Sequence, residues 1–293
     1  MSAAAPLAAA RQDPLRPEPG KLPWRTWRRQ LLAVVRLELR KSFLGRRAVG
    51  LYLLALAPPL ILALRALKPG GVSDPNDLGE ATQIFAGIFQ GFIVRLVIFL
   101  ACVFIFGGLV RREVLDRSLH FYFLTPLRRE LLALGKYMTG LLVAAVLFAG
   151  STLASFAFAY LPYSGGSVER YLLHGPGLAQ LGSYLLVTLL ACGGYGAVFF
   201  AAAFFVRSPA LPALAMFGWE SIHFLLPPLL KQLSVIHYLQ SLCPVPISEG
   251  PFALLSDAPS RWVAIGGLLA LIVALLVVSA FRIRRMEIAY EGE

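Results

Sequence analysis

Charged residues are scarce in this sequence. Asp, Glu, Lys and Arg make up 15% of its 293 residues, whereas 58% are hydrophobic and the mean hydropathy is +0.71. Soluble domains average about 25% charged and about 45–50% apolar residues, so this composition excludes a soluble globular protein. The net charge of +11 predicts no nucleic-acid partner, because the basic residues flank apolar runs instead of forming one exposed patch.

Cysteine and catalytic motifs are also scarce. Cys102 and Cys192 lie in apolar runs and Cys243 has no obvious partner, so no disulfide framework is expected. The chain has no GxxxxGK[ST] phosphate loop, no HExxH motif and no Cys/His cluster, and its four histidines are dispersed. The sequence therefore predicts no enzyme, no metal site and no ATP bound by this chain itself.

Long apolar runs dominate what is present. Crossing a hydrocarbon core of about 30 Å takes about 20 apolar residues in a helix. Barrel strands would alternate apolar and polar residues, and these runs do not. The sequence predicts an all-α integral membrane protein with six transmembrane helices, at about 48–64, 84–110, 137–161, 178–206, 210–230 and 262–281.

The basic residues predict the orientation. If residue 1 is cytoplasmic, 21 of the 27 Lys and Arg residues fall in cytoplasmic segments and five in outer ones, while Arg95 lies within a span. Positive residues are retained on the cytoplasmic side of membranes. Both termini are therefore predicted to be cytoplasmic.

The segments outside the spans differ in character. Residues 1–23 are Ala- and Pro-rich, which predicts a disordered cytoplasmic tail, and residues 282–293 form a second cytoplasmic tail. Residues 24–47 place apolar side chains on one face and Arg and Lys on the rest, as in an amphipathic helix at the membrane interface. The transmembrane domain is predicted over 48–281.

Local signals refine the spans. Pro58-Pro59 is expected to kink or end the first one. Residues 163–167 are expected to form an outer turn. The small residues of Cys192-Gly-Gly-Tyr-Gly predict close helix approach in the fourth span.

The segment 111–136 is too polar to enter the membrane and too apolar to be solvated. Two short helices interrupted at Thr125-Pro126 fit it, because proline is favoured in the first turn of a helix. Such an element would lie on the cytoplasmic face and present apolar side chains to a partner.

The same segment resembles the type-2 ABC exporter permeases. The resemblance rests on Glu113 after span two, on Phe123-Leu-Thr-Pro-Leu-Arg-Arg-Glu130, and on Leu132 and Lys136 entering span three. His237-Tyr-Leu-Gln-Ser-Leu-Cys-Pro244 is similar to the outer segment of these proteins. Asp116-Arg-Ser-Leu119 departs from the Gly-Thr-Leu of many members.

The resemblance implies a permease subunit of an ATP-driven exporter in the inner membrane of a prokaryote. It implies short outer helices between spans five and six, and a coupling helix that docks on a separate ATP-binding cassette subunit carrying ATP and Mg. It also implies a second permease copy or a homologous permease, with membrane lipids around both. The implied interface residues are Glu113, Asp116, Arg117, Thr125, Pro126, Arg128, Arg129 and Glu130. The open alternative for these residues is that they only hold the loop at the lipid surface.

Three polar residues within the predicted spans are further candidates for a functional site. Glu220 and His223 share a helix face near mid-bilayer, where they would line a substrate path or form a structural hydrogen bond to a neighbouring helix. Arg95 would either reach the outer surface or pair with Glu220.

Two other functional classes stay open. One is a secondary transporter, although the repeats typical of that class are not visible. The other is a membrane-embedded enzyme acting on lipid or peptide, which needs acidic, His or Cys residues converging near one face.

Overall fold

The computed structural model describes residues 48–68, 77–115, 129–206, 208–222, 227–247 and 259–284, together with the isolated helical positions 32, 33, 35, 36 and 39. The predicted tail 1–23 and most of the predicted interfacial helix lie outside these residues. Of the predicted tail 282–293, residues 282–284 are described and continue the last helix, and the rest lies outside. The elements are α1 (Ala48–Ala66), α2 (Leu78–Ile88), a π-helical segment (Phe89–Ile98), α3 (Phe99–Leu115), α4 (Arg129–Tyr160), α5 (Gly165–Leu173), α6 (Gly177–Ala202), α7 (Ala210–Ser221), α8 (Pro228–Lys231), α9 (Val235–Leu242) and α10 (Arg261–Arg284).

Five helices are long and apolar enough to cross a membrane: Ala48–Ala66, Leu78–Leu109, Glu130–Tyr160, Gly177–Ala202 and Arg261–Arg284. No strand occurs in the described ranges. An all-α, multi-pass membrane protein is therefore confirmed. The second of these helices begins at Leu78, earlier than the predicted 84, because Asp77 caps it by accepting a hydrogen bond from the Gly79 N–H.

The predicted fifth span over about 210–230 is not a single helix. Helix α7 has 12 residues and ends at Ser221, which gives a length of about 18 Å, short of a bilayer core. The described chain resumes at Pro227 in an extended conformation (ψ 157°) and then forms the four-residue α8. Proline disfavours a helical conformation in the residue before it, so Pro228 accounts for the extended Pro227.

Helix α1 neither ends nor breaks at its two prolines. Pro58 and Pro59 both lie inside it and both are buried. Pro59 has no N–H to donate to the carbonyl of Ala55 four residues earlier. The Ser151 hydroxyl on α4 donates to that carbonyl at 2.5 Å and satisfies it. The helix therefore continues because a neighbouring helix supplies the missing donor.

Helix α6 is the centre of the bundle and packs against α3, α4, α9 and α10. Close helix approach at its glycines is confirmed. A Cβ on Gly196 would lie 2.6 Å from the Phe106 ring, and one on Gly194 would lie 2.9 Å from Val235. Phe106 also faces Gly140 of α4, so its ring fills a notch formed by the glycines of two helices.

The outer turn predicted over 163–167 extends only to Ser164. Helix α5 begins at Gly165, and Ser164 is its N-cap residue, accepting a hydrogen bond from the Ser167 N–H at 3.4 Å. The two glycines indicated a turn, but the capping serine before them begins a helix.

The two ends of the bundle are held together differently. At one end, here called the Arg65 end, Arg65 pairs with Glu80 at 3.2 Å. There the Tyr171 hydroxyl donates to Gln180 at 2.6 Å and lies 3.2 Å from that of Tyr160. These contacts join α1 to α2 and link α4, α5 and α6. The opposite end, here called the Arg284 end, is held by an ion pair between Glu130 and Arg284.

Candidate functional site

Most of the predicted coupling residues lie outside the described residues: Asp116, Arg117, Thr125, Pro126 and Arg128. The backbone at Glu113 is part of α3, and that at Arg129 begins α4. Glu130 is the one predicted interface residue whose side chain is described. Lys136, which belongs to the same motif, is buried with 3% exposure.

Glu130 lies in the first turn of α4 and pairs with Arg284 in the last turn of α10. Both side chains are partly exposed. Each charge also suits its helix end, since a carboxylate is favoured at an N-terminus and a guanidinium at a C-terminus. The ion pair joins the start of the third span to the end of the last one, 154 residues later.

Two further contacts define the Arg284 end. The Arg282 guanidinium lies over the Phe205 ring, 5.3 Å from its centroid, just after the end of α6. A Cβ on Gly107 of α3 would lie 3.1 Å from Pro209, which precedes α7. The ends of α3, α6 and α10 therefore gather with the starts of α4 and α7. These are the places where the basic segments 111–136, Arg207 and 282–293 join the bundle.

Glu220 is the only residue of α7 that is buried, with 6% exposure. Its two carboxylate oxygens accept hydrogen bonds from the start of α9. The Ser234 hydroxyl donates to Oε2 at 2.7 Å, the Val235 N–H donates to Oε1 at 2.9 Å, and the Ile236 N–H donates to Oε2 at 3.1 Å. A carboxylate at a helix N-terminus satisfies N–H groups that have no partner within the helix.

Helix α9 lies inside the bundle, and this location explains its acidic cap. Val235 packs on Gly194 of α6, and Gly194 also faces Leu268 of α10. Leu268 is seven residues into α10, about 10 Å from its start. At this depth water is excluded and each unsatisfied N–H group is costly. Glu220 therefore allows a short helix to begin within the apolar interior.

The C-terminal end of α9 is also held by side chains of the bundle. The Gln90 amide in the π-helical segment donates to the Val245 carbonyl at 2.8 Å. Tyr238 packs on Gly267 of α10. Because contacts hold both of its ends, α9 is a fixed part of the bundle and not a surface loop.

Arg95 lies near the middle of the second membrane helix, 17 residues after Leu78 and 14 before Leu109. Its side chain is half-buried in the π-helical segment. The Tyr195 hydroxyl on α6 lies within electrostatic range of both Arg95 and Glu220. The structure thus brings Arg95 and Glu220 to the same region of the bundle, whereas His223 lies outside the described residues.

A seam separates α7 from the rest of the bundle, on the side of Arg95 that lies towards the Arg284 end. Phe99 is the next residue on the same helix face, and its ring contacts Phe217 of α7 at 5.8 Å between centroids. Nearer the Arg284 end the seam contains a small recess of about 10 Å³. Its lining is apolar and consists of Val103, Gly107, Phe199, Ala203, Val206, Pro209 and Pro212.

Several residues of this site carry little sequence signal. Ser234 is recognisable only as a serine before a short apolar run, and Gln90 only as a polar residue within a span. Arg284 lies in the predicted cytoplasmic tail 282–293, but the structure places it in the last turn of α10. Within the part of the chain that the structure describes, His, Cys, Asp and Glu form no group able to hold a metal.

Comparison with known proteins adds no relationship. No protein-family model matches the sequence, and the comparison with curated proteins finds no match.

Proposed function

We propose that this chain is the membrane-spanning subunit of a type-2 ABC transporter and acts with a separate ATP-binding subunit. The observation that carries the proposal is the polar segment 111–136, with its Leu-Thr-Pro-Leu-Arg-Arg sequence, whose first residues end one membrane helix and whose last residues begin the next. Those helices, α3 and α4, have their adjoining ends at the Arg284 end of the bundle.

The proposed layout has six crossings. Helices α1, α4, α6 and α10, and the rod formed by α2, the π-helical segment and α3, supply five of them. The sixth is interrupted: α7 enters from the Arg284 end, and the chain passes through α8 and α9 towards the Arg65 end. The Arg284 end then faces the cytoplasm of a prokaryotic cell, because the basic segments meet there. A second permease, identical or homologous, completes the pathway, and ATP and Mg bind to the partner ATPase.

The Glu130–Arg284 ion pair supports a route for coupling. Movement of the 111–128 segment would act directly on the start of α4, and through the ion pair on the end of α10. Within this proposal Glu130 transmits force between helices, while Arg128 and Arg129 are left to contact the ATPase. ATP hydrolysis is assigned in this proposal to the partner subunit.

Co-purification with charge-reversal variants tests the proposal. The full chain, purified from its native membrane in detergent, should bring with it a Mg-dependent ATPase activity. The double variant Arg128→Glu/Arg129→Glu should lower that activity at least fivefold, with unchanged yield and elution volume of the chain. The control is Arg170→Glu, an exposed reversal on α5 near the Arg65 end, which should leave the activity unchanged.

Two results would overturn the proposal. One is a chain that moves substrate alone in liposomes when driven by a proton gradient. The other is an ATPase activity that survives reversal at Arg128 and Arg129 as fully as it survives reversal at Arg170.

A further inference from the structure

The exposed stripe of the second membrane helix changes character along its length. In its C-terminal part the exposed side chains are large and apolar, namely Leu96 and Phe104, as suits a surface in contact with lipid tails. In its N-terminal part the exposed positions, at intervals of four residues, are Gln83, Gly87 and Gly91. The apolar side chains between Gln83 and Leu96 are all buried or half-buried. This part of the stripe therefore presents glycine backbone to the membrane.

The two glycines of this stripe contact nothing within the described bundle. A Cβ on Gly87 or Gly91 would meet no atom within 4 Å, whereas one on Gly140 or Gly196 would overlap the Phe106 ring. Glycine costs a helix about 1 kcal/mol relative to alanine, and only the second pair offsets this cost by internal packing. Among the described glycines with such open space, Gly87 and Gly91 are the one pair four residues apart. This spacing lets two membrane helices approach closely.

Arg95 is a second and independent feature of the same stripe. A π-helix has more residues per turn than an α-helix, so Arg95 and Leu96 both fall one turn after Gly91. Arg95 lies about 20 Å from each end of the helix, at a depth where an ionised side chain without a partner is costly. In the part of the chain that the structure describes, no hydrogen bond or ion pair reaches its guanidinium. The N–H donors of Arg95 thus require an acceptor from outside these residues.

A second copy of this chain is poorly suited to supply that acceptor. The described carboxylates of the membrane helices are those of Glu80, Glu130 and Glu220. The first two lie at helix ends, where they pair with Arg65 and Arg284. Three hydrogen bonds from the start of α9 occupy the oxygens of Glu220. Packing the stripe on its own symmetry mate would also bring two arginines together, which is repulsive where the dielectric constant is low.

From these observations we infer that a transmembrane helix of a different protein docks on the stripe formed by Gln83, Gly87, Gly91 and Arg95. The partner helix places small residues against the two glycines, where close approach brings the backbones into van der Waals contact. It also places a carboxylate against the guanidinium, whose planar fork of donors suits two carboxylate oxygens. The inference does not depend on the proposed transport function. Together with that function it favours a homologous second permease over an identical one.

Energy transfer in phosphatidylcholine vesicles tests this docking surface, with a synthetic helix as the probe. The probe is a peptide of leucine and alanine with about 24 residues, enough to span the bilayer. It carries a Gly-x-x-x-Gly pair and, one turn later, a glutamate. The full chain carries the donor at Arg170→Cys, with its three native cysteines replaced by alanine, and the peptide carries the acceptor. We expect saturable transfer that unlabelled probe displaces and that a peptide of leucine and alanine alone does not.

Matched changes in the probe and the chain identify the contacts. Glutamine in place of the probe's glutamate should weaken binding about tenfold, as for loss of a charge-assisted hydrogen bond. Arg95→Gln should abolish this difference between the two probes. Gly87→Leu/Gly91→Leu should weaken the binding of both probes at least tenfold, because the larger side chains separate the helices. The control Gly50→Leu places the same side chain on an exposed, open glycine of α1 and should bind as the wild type does.

Size-exclusion elution and circular dichroism show whether each variant is folded, and the comparison of the two probes needs no variant of the chain. Equal binding of the probe and the leucine–alanine peptide would overturn the inference. So would wild-type binding by Gly87→Leu/Gly91→Leu, or an undiminished preference for glutamate in Arg95→Gln.

A mixture of donor- and acceptor-labelled chains without peptide tests the second copy as the occupant. Transfer between chains that Gly87→Leu/Gly91→Leu abolishes would assign the stripe to a homodimer and overturn the inference. The outcome is also separate from the test for an ATPase. A chain that carries an ATPase but binds no acidic helix refutes only the docking surface. A chain that binds the probe through this stripe but carries no ATPase refutes only the proposed ABC function.

Discussion

Single hydroxyl and carboxylate groups decide which backbone conformations this membrane interior accepts. Pro59 leaves the Ala55 carbonyl without a donor from its own helix, and Ser151 supplies one from α4. In the same way, the Glu220 carboxylate accepts hydrogen bonds from the N–H groups of Val235 and Ile236. Neither pairing follows from residue spacing, since the partners are 96 and 15 or 16 residues apart.

Removal of the Ser151 hydroxyl should destabilise the folded chain, because Pro59 leaves the Ala55 carbonyl without another donor. A double-mutant cycle between positions 151 and 59 measures this dependence. We expect Ser151→Ala to lower the free energy of unfolding by about 1–2 kcal/mol, at the upper end for membrane hydrogen bonds. In a Pro59→Ala background the residue-59 N–H can bond Ala55, so the same change should cost less than half as much. Unfolding in mixed detergent micelles gives both values.

The control for that cycle is Ser183→Ala. The Ser183 hydroxyl is exposed and bonds to the Ala179 carbonyl of its own helix at 3.0 Å, so its loss should have almost no effect. An equal cost of Ser151→Ala in the two backgrounds would show that Ser151 does not compensate for Pro59.

At the scale of elements, α7 and α9 depend on one another. Helix α7 is short, largely exposed and joined to the bundle through Glu220, and α9 begins at the Glu220 carboxylate. Hydropathy predicts one long span here because 210–230 is apolar apart from Glu220, Ser221 and His223. The helix ends at Ser221, Pro228 accounts for the extended conformation of Pro227, and the return of the chain into the interior depends on a cap that hydropathy does not register.

Glu220→Gln distinguishes a cap from a transport residue. A glutamine places an NH₂ group where one carboxylate oxygen accepts hydrogen bonds, so at least one N–H of α9 loses its acceptor. We expect a loss of about 1–3 kcal/mol in unfolding free energy, and faster amide exchange confined mainly to residues 235–242. Glu169→Gln, an exposed acid on α5, is the matched control and should change neither quantity. Unchanged exchange in α9 together with lost transport would instead assign Glu220 to the substrate path.

At the scale of the whole molecule, the sequence was sufficient for the helices that cross in one piece. Each has a single physical cause, a long apolar run bounded by polar residues. Their bounds lie within a few residues of the predicted ones, except that the second begins at Leu78 and not at 84, and the third begins at Glu130 and not at 137. The candidate site was less predictable. Glu220 and Arg95 were recognisable as charges within spans, but their surroundings depend on the π-helical segment and the buried α9. Long-range contacts of this kind carry no periodic signal.

The convergence of basic segments at one end predicts which face of the protein is cytoplasmic. In a background with Cys102, Cys192 and Cys243 replaced by alanine, Ser208→Cys tests the Arg284 end and Arg170→Cys tests the opposite end. We expect a membrane-impermeant maleimide to label Arg170→Cys in intact cells, and Ser208→Cys only after the membrane is permeabilised. Both positions are exposed, so accessibility within the protein does not bias the comparison. Labelling of Ser208→Cys in intact cells would reverse the proposed orientation.

The π-helical segment changes which residues of this helix share a face on a helical wheel. Over the ten residues from Phe89 to Ile98 the chain turns less per residue than an α-helix does, and the accumulated lag is roughly half a turn. A wheel drawn at 100° per residue from Leu78 therefore assigns Val103 and Gly107 to the side opposite the one they occupy. In scanning mutagenesis of this helix, the residues before Phe89 and those after Ile98 should be assigned to helix faces on separate wheels. A single wheel would combine residues from two different faces.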